Sequence, residues 1–409
     1  MKQYFIVIGM AVIMLTAHAQ KRTLSLDDCL RMALADNLSL RSGRIAVQRA
    51  VDLQGTSFDL DPTSITLAQD PTSGGSPDNA VTVSQNFSLP IVYSRKRRQL
   101  KAETQVERNA LELTAAEVRR EVTLAYQQLV YEHERSVLLH QQDSLYANFR
   151  RVALAQNRVG ETGRLELINA DRLVSENRMA VKKVERDYQV AQLQLMQWLN
   201  TDLPIVPADS SLCPLQASFA SRYDGTTTPQ ALYGESKIKA SEAALKSVKS
   251  EALPTVSLAA STQLVIKGFN PYDIDRSAFD KGNFMGFEVG LNIPLAFGAQ
   301  RGRVRAAKRD VEMARVDHER QMQTQAATYL VKLNEYDKAK ELLDYYDKEA
   351  VARADEMRRI SQTSYENGAI GYLELMQNMQ NYVDTHLARA EAVRDYNKAV
   401  TELNYLLGR

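Results

Sequence analysis

The chain has 409 residues and is almost electroneutral, with 51 Lys and Arg against 50 Asp and Glu. That balance leaves no global field to collect nucleic acid. Two cysteines in unrelated segments, Cys29 and Cys213, suggest neither a disulfide framework nor a metal site, and the five histidines include no pair at ligand spacing on a helix face.

The N-terminus reads as a leader. Lys2 precedes an apolar run from Tyr4 to Leu15, and Ala17-His18-Ala19 follows as a small-residue cleavage site. The run is too short to span a bilayer. Residues 1–19 are therefore expected to be a signal peptide, and the chain to be exported.

From Ser25 to about Asp59 the apolar spacing is helical, with Ser25 or Asp27 as its cap and Pro62 beyond its end. Ile65 and Leu67 then alternate with polar residues as a short strand, and residues 70–77 have the composition of a loop. The alternation from Asn79 to Leu89 is clean apart from Gln85. Val81, Val83, Phe87 and Leu89 point one way; Ala80, Thr82, Ser84, Asn86 and Ser88 point the other. Pro90 closes this strand. A helix is expected from about Ser94 to Val159, with the narrow apolar seam of a coiled coil in Val118, Val122, Ala125 and Leu129. At 1.5 Å per residue it would run about 100 Å.

Gly160 and Gly163 interrupt that pattern, and a shorter helix returns from Leu165 to Asn200. Thr201 to Thr228, rich in Pro, Ser and Thr, reads as an irregular connector. The plan then repeats. A helix spans Gln230 to Ala252, and a strand bears Val256, Leu258, Ala260, Leu264 and Ile266. After a loop over 267–283, a strand from Phe284 to Ile293 stops at Pro294. A second long helix runs from about Gln300 to Asn367, and a return helix from Leu373 to Leu407. The glycine turns match at an offset of 208: Gly160 on Gly368, Gly163 on Gly371, Leu165-Glu166-Leu167 on Leu373-Glu374-Leu375. The chain is one unit written twice, with repeats over 20–200 and 229–409 joined by the connector 201–228.

The expected fold class is mainly α, with long coiled-coil helical hairpins in two pseudo-repeats and two β-hairpins. The strands have the length and alternation of a membrane barrel. Val83, Phe87, Leu258, Leu264, Phe287 and Leu291 would face lipid, and Thr82, Ser84, Ser257, Gln263 and Glu288 a lumen. Four strands cannot close a barrel, so copies must pool them: a dimer gives eight, a trimer twelve.

These features, taken together, resemble the TolC-like outer-membrane efflux family: a leader, a doubled helix–hairpin–helix plan, strand exits at Leu89-Pro90 and Ile293-Pro294, and doubled glycine turns. The resemblance covers the whole mature chain. It implies a homotrimer in the outer membrane of a Gram-negative bacterium, with a twelve-stranded barrel and a helical tunnel through the periplasm. It also implies docking of the turns onto a periplasmic adaptor protein and an inner-membrane pump. Gly160, Gly163, Arg164, Leu165, Gly368, Gly371 and Leu373 are the candidates for that contact. The family often has acidic residues at the tunnel entrance, six and nine positions after the turn glycine; here they are Glu374 and Gln377, so the second acid is missing. No cofactor is implied, and no nucleic acid.

Other functions fit less well. Glu166 and Glu374 could be a carboxylate pair, but no histidine or nucleophile pattern accompanies them, so no enzyme is expected. A periplasmic adaptor would also use a coiled-coil hairpin, but a typical one has a single hairpin and no lipid-suited strands. A purely structural coiled coil leaves the amphipathic strands unexplained. Two basic runs stand just after the strand exits: Arg95, Lys96, Arg97, Arg98 and Lys101, and Arg301, Arg303, Arg305, Lys308 and Arg309. Cations at a helix start oppose its dipole. They read either as a solvated helix surface or as contacts to anionic headgroups.

Overall fold

A computed structural model describes residues 22–70, 78–160, 163–264, 285–294 and 297–409. The expected signal peptide, residues 71–77 of the first hairpin loop, Ile266 and the loop 267–283 lie outside the described residues. In chain order the elements are β1 (Arg22–Leu24), α1 (Leu26–Asp36), α2 (Leu38–Leu53), β2 (Ser64–Asp70), β3 (Asp78–Ser88), α3 (Pro90–Arg158) and α4 (Arg164–Leu199). They continue with β4 (Ile205–Pro207), α5 (Pro229–Ser250), β5 (Thr255–Leu264), β6 (Met285–Asn292), α6 (Phe297–Tyr345), α7 (Val351–Glu366) and α8 (Tyr372–Leu406).

The doubled plan is present, with four differences from expectation. The first helix is two. Its cap is Ser25, whose Oγ accepts from the Asp28 N–H while the Asp28 carboxylate accepts from the Ser25 N–H, a capping box. At Asn37 the backbone is extended. Its Oδ1 accepts from the N–H groups of Ser39 and Leu40, which caps α2. Its Nδ2 donates to the Trp198 carbonyl at 3.0 Å. The asparagine competes with the backbone for its own hydrogen bonds and so splits one apolar period into two helices.

Second, the connector is not irregular throughout. Residues Ile205–Pro207 form a parallel ladder with Arg22–Leu24. Third, the long helices begin earlier than Ser94 and Gln300. Pro90 is the first residue of α3, where a missing N–H costs nothing and a fixed φ suits the helix; α6 starts at Phe297. Fourth, the second long arm contains a π turn over Tyr346–Ala350 between α6 and α7.

The chain divides into two compact units, each drawing on both repeats. One comprises the described residues up to Ser42 with Glu112–Pro229 and Met322–Arg409. The other comprises Gly43–Leu111 and Gln230–Gln321.

In the first of these units the return helices close on their long partners. Val118, Val122 and Leu129 of α3, and Val184, Ala191 and Leu195 of α4, are buried seam residues. Asn177 Nδ2 donates to the Leu139 carbonyl at 3.3 Å, and Arg389 to Asp347, within the π turn, at 2.6 Å. The connector is strapped across this unit by side chains that bond its backbone. Asn397 is 2 % exposed; its Oδ1 accepts from the Leu215 N–H and its Nδ2 donates to the Cys213 carbonyl. The hydroxyls of Tyr336 and Tyr329 donate to the carbonyls of Ala217 and Ala220. Phe219 meets Tyr336 edge-on and Tyr223 lies tilted against Tyr329, the two tyrosines being one helical heptad apart. Glu134 accepts from the Leu212 N–H; burial nevertheless pushes its carboxyl above the usual range.

In the other unit the short helices line the beginnings of the long ones. Thr104 of α3 donates to the Ala50 carbonyl and receives Gln54 Nε2 at 2.7 Å. Asn109 Nδ2 donates to the Leu232 carbonyl of α5 at 2.9 Å. α5 lies so close to α6 that a Cβ at Gly234 would fall 2.2 Å from His318 Nδ1. The four long strands form one antiparallel sheet in this unit, in the order β2-β3-β5-β6.

Asn397→Ala is expected to destabilise the helical unit by about 1–3 kcal/mol, because it removes two hydrogen bonds, to the Leu215 N–H and the Cys213 carbonyl, that a buried side chain makes to the connector. Chemical denaturation followed by far-UV circular dichroism, with hydrogen exchange at residues 212–220, measures it. A change under 0.5 kcal/mol, roughly that of a neutral surface substitution, would show that the connector does not depend on this bond pair.

Candidate functional site

Two surfaces were singled out by sequence, and each lies within one compact unit. The first is the sheet. Its register carries each face across all four strands. Ile65 opposes Val83, Val83 opposes Ala260, and Ala260 opposes Phe287; Phe87 opposes Val256, and Val256 opposes Leu291. Directly opposed residues share a face. One face therefore gathers Ile65, Leu67, Val81, Val83, Phe87, Val256, Leu258, Phe287, Val289 and Leu291. The other gathers Thr66, Thr82, Ser84, Asn86, Ser257, Ser261, Gly286, Glu288 and Gly290. The register also pairs Leu264 with Asn79 and Gln263 with Ala80.

The apolar face is bare. Ile65 is 72 % exposed, Phe287 79 % and Val289 75 %. No soluble domain gains from presenting such a continuous apolar sheet to water. Among the described residues the sheet is also open at both edges: β2 pairs only with β3, and β6 only with β5. Unpaired strand edges recruit further strands.

The second surface is the pair of turns. In each, the two glycines do different work. Gly160 has φ +79° and Gly368 φ +71°, the left-handed conformation that ends a helix. At the second turn the Gly368 N–H donates to the Tyr365 carbonyl at 3.0 Å and the Ala369 N–H to the Ser364 carbonyl at 2.8 Å, the paired bonds of a Schellman motif. Gly163 and Gly371 are extended instead, at φ −73° and −76°, and sit just before the first turns of α4 and α8. A Cβ on any of the four would meet no atom within 4 Å. The doubled spacing marks the reversals in the sequence; only the first glycine of each pair is there for its φ.

The turns share a core. Phe149, Ala153 and Ala170 of the first hairpin pack with Tyr372, Leu375, Met376 and Met379 of the second. Tyr372 stacks on Phe149 and on Tyr365, with centroids 5.1 and 5.2 Å apart. At the offset of 208 Tyr372 stands where the first repeat has Arg164. One turn thus sends an aromatic ring into the shared core, while the other holds an exposed cation. Gly163, Arg164 and Leu165, and Gly371, Leu373, Glu374 and Gln377, are all exposed. Glu374 borders a shallow groove with Arg353, Met357, Ile360, Ser361 and Asn378. Glu166, its equivalent, is half-buried. Among the described residues no group of His, Cys, Asp and Glu could hold a metal ion, and no described helix is long and apolar enough to cross a membrane.

A sheet with one bare apolar face and open edges, joined in sequence to paired helical hairpins, defines the architecture of outer-membrane channels of the α-helical-barrel type. The comparisons agree. A membrane protein from Pseudomonas aeruginosa superposes with a TM-score of 0.74 at 17% identity, covering 94% of this chain and 90% of that one. CusC, whose structures concern transmembrane channel formation, gives 0.75 at 14% identity over 96% and 94%. The open state of the MtrE outer membrane channel of Neisseria gonorrhoeae gives 0.72 at 16% identity over 94% and 88%. No curated protein sequence matches. The family model described as outer membrane efflux protein matches residues 231–409, the second repeat. The second repeat thus resembles the outer membrane efflux protein family, and the chain as a whole has the fold of these channels.

Gly160→Val is expected to strain the left-handed turn by about 1–2 kcal/mol, whereas Gly163→Trp, projecting into open space, is expected to leave the hairpin folded. Hydrogen exchange at 145–175 distinguishes them. Equal protection loss in both variants would show that the two glycines are not functionally separate.

Proposed function

We propose that this protein is the exit duct of a tripartite efflux or type I secretion system, a passive outer-membrane channel subunit and not an enzyme. The observation that carries the reading is the four-stranded sheet, apolar on one face, small and polar on the other, and unpaired at both edges. Three copies joined edge to edge would make twelve strands, with the Thr, Ser, Gly and Glu288 face inward and the Val83, Phe87, Leu258, Leu264, Phe287 and Leu291 face toward lipid. Closure of this kind satisfies every backbone group that a bilayer would otherwise leave unpaired. The long helices supply the periplasmic part. The exposed turn residues Gly160, Gly163, Arg164, Leu165, Gly368, Gly371 and Leu373 are the surface offered to a periplasmic adaptor coupled to an inner-membrane pump. The reading as an adaptor is disfavoured by the sheet, which has no role in such a protein.

Facing of the strands is testable. Phe287→Arg places a cation among lipid chains and is expected to cost roughly 2–4 kcal/mol; Glu288→Leu, on the polar face, is expected to be tolerated. The readout is the yield of heat-modifiable oligomer in outer-membrane fractions. Normal insertion of Phe287→Arg alongside failure of Glu288→Leu would invert the facing.

The second turn offers the entrance. Three-fold symmetry would bring three Glu374 carboxylates around one axis, with Gln377 neutral beside each. Such a ring attracts cations to the mouth. Single-channel reversal potentials in a salt gradient are expected to show cation preference in the wild type and a reduced preference in Glu374→Gln. Identical potentials would remove Glu374 from the gate.

A further inference from the structure

The two basic runs meet at one place. Arg95, near the start of α3, donates from Nη1 to the Lys246 carbonyl in the last turns of α5. Gln300, near the start of α6, donates from Nε2 to the Val248 carbonyl at 2.6 Å. Arg303 reaches Glu251, just past the end of α5, at 3.9 Å. The end of α5 thus gathers the first-repeat run, the second-repeat run and its own Lys246 and Lys249 into a single belt. All of these residues belong to the same compact unit as the sheet. The belt sits where β3 gives way to α3 and β6 to α6, directly beyond the last apolar side chains of the strands, Phe87 and Leu291.

Helix physics does not call for these charges. Two of the three clusters lie in the second to fourth turns of long helices, past the first turn where the dipole acts, so no capping or dipole role accounts for them. Ion pairing does not account for them either. Among the described residues Arg97, Arg98, Lys101, Arg301, Arg305 and Lys308 have no carboxylate within ion-pair distance, and all six are exposed. Only Arg303 and Arg309 reach an acid, Glu251 and Glu312. A band of unneutralised cations bordering a bare apolar face matches one amphiphile: acyl chains against the strands and a negative headgroup against the band.

We propose that this belt binds anionic phospholipid headgroups of the leaflet that meets the base of the sheet, fixing the depth at which the channel sits. The proposal rests on the reading of the sheet as a membrane-facing surface.

The test uses the full-length oligomer purified in detergent and exposed to an equimolar mixture of phosphatidylglycerol and phosphatidylcholine. Retained lipid is counted by native mass spectrometry. The wild type is expected to retain phosphatidylglycerol in preference, by about tenfold or more for several interfacial cations. The combined variant Arg97→Gln, Arg98→Gln, Arg301→Gln, Arg305→Gln is expected to lose that preference. A control with Arg178, Lys182, Lys183 and Arg186 of α4 changed to Gln, which removes the same charge from the other unit, is expected to keep it. Raising salt is expected to erase the wild-type preference, a measurement independent of whether the variant folds. The proposal is overturned if the belt variant keeps the preference, if the control loses it equally, or if salt leaves it unchanged. It is also overturned if inorganic phosphate displaces the lipid at matched concentration, which would mark a soluble-anion site, or if the belt variant shifts the reversal potential with lipid preference intact, which would place the cations in the pore. Failure of the wild type to enter bilayers of either composition would instead defeat the reading of the sheet itself.

Discussion

The rest of the molecule depends on a sheet that is not finished. β2 and β6 each present a row of unpaired backbone groups, and in a bilayer each unpaired group costs several kcal/mol. Among the described residues no further long strand is present to satisfy them, beyond β2, β3, β5 and β6 themselves. If copies pool their strands as proposed, assembly is part of folding for this protein. The apolar face raises the same demand: side chains as large as Phe287 are bare, and burying them in lipid would remove that cost.

The helices meet a different constraint. Narrow seams bury little area per residue, so long helices need specific polar fastenings as well as packing. Those fastenings cluster where the chain is least regular. Asn397, Tyr329 and Tyr336 hold the connector by its carbonyls and amides, and Asn37 serves both as a cap and as a tie to Trp198. Each is a buried polar group whose partner is a backbone atom of a distant segment. Such bonds add little net energy but are expensive to break, and so they fix position more than they add stability.

Much of this was legible in the sequence. The period of the apolar residues, 2 in the strands and close to 3.5 in the helices, locates the elements, and the 208-residue offset of the glycine turns reveals the duplication. The sheet faces could be read because alternation is strictly local. What could not be read was long-range. Pairing of Arg22–Leu24 with Ile205–Pro207 leaves no periodic trace in three residues. The break at Asn37 hides inside a continuous apolar period. The convergence of both basic runs on α5 depends on Lys246 and Val248 carbonyls, which carry no sequence signal at all. The different fates of Arg164 and Tyr372 could be seen only once the turns were found to share a core.

The π turn at Tyr346–Ala350 sets the phase of the second long arm. An extra residue in a regular α-helix would rotate everything beyond it by about a quarter of a revolution, at 3.6 residues per turn. Tyr365 would then swing out of the shared core. A turn closed by i→i+5 bonds takes in the added residue and passes the original phase onward. The wide turn acts as a phase corrector: it absorbs a residue that a regular helix would convert into a rotation of the far end.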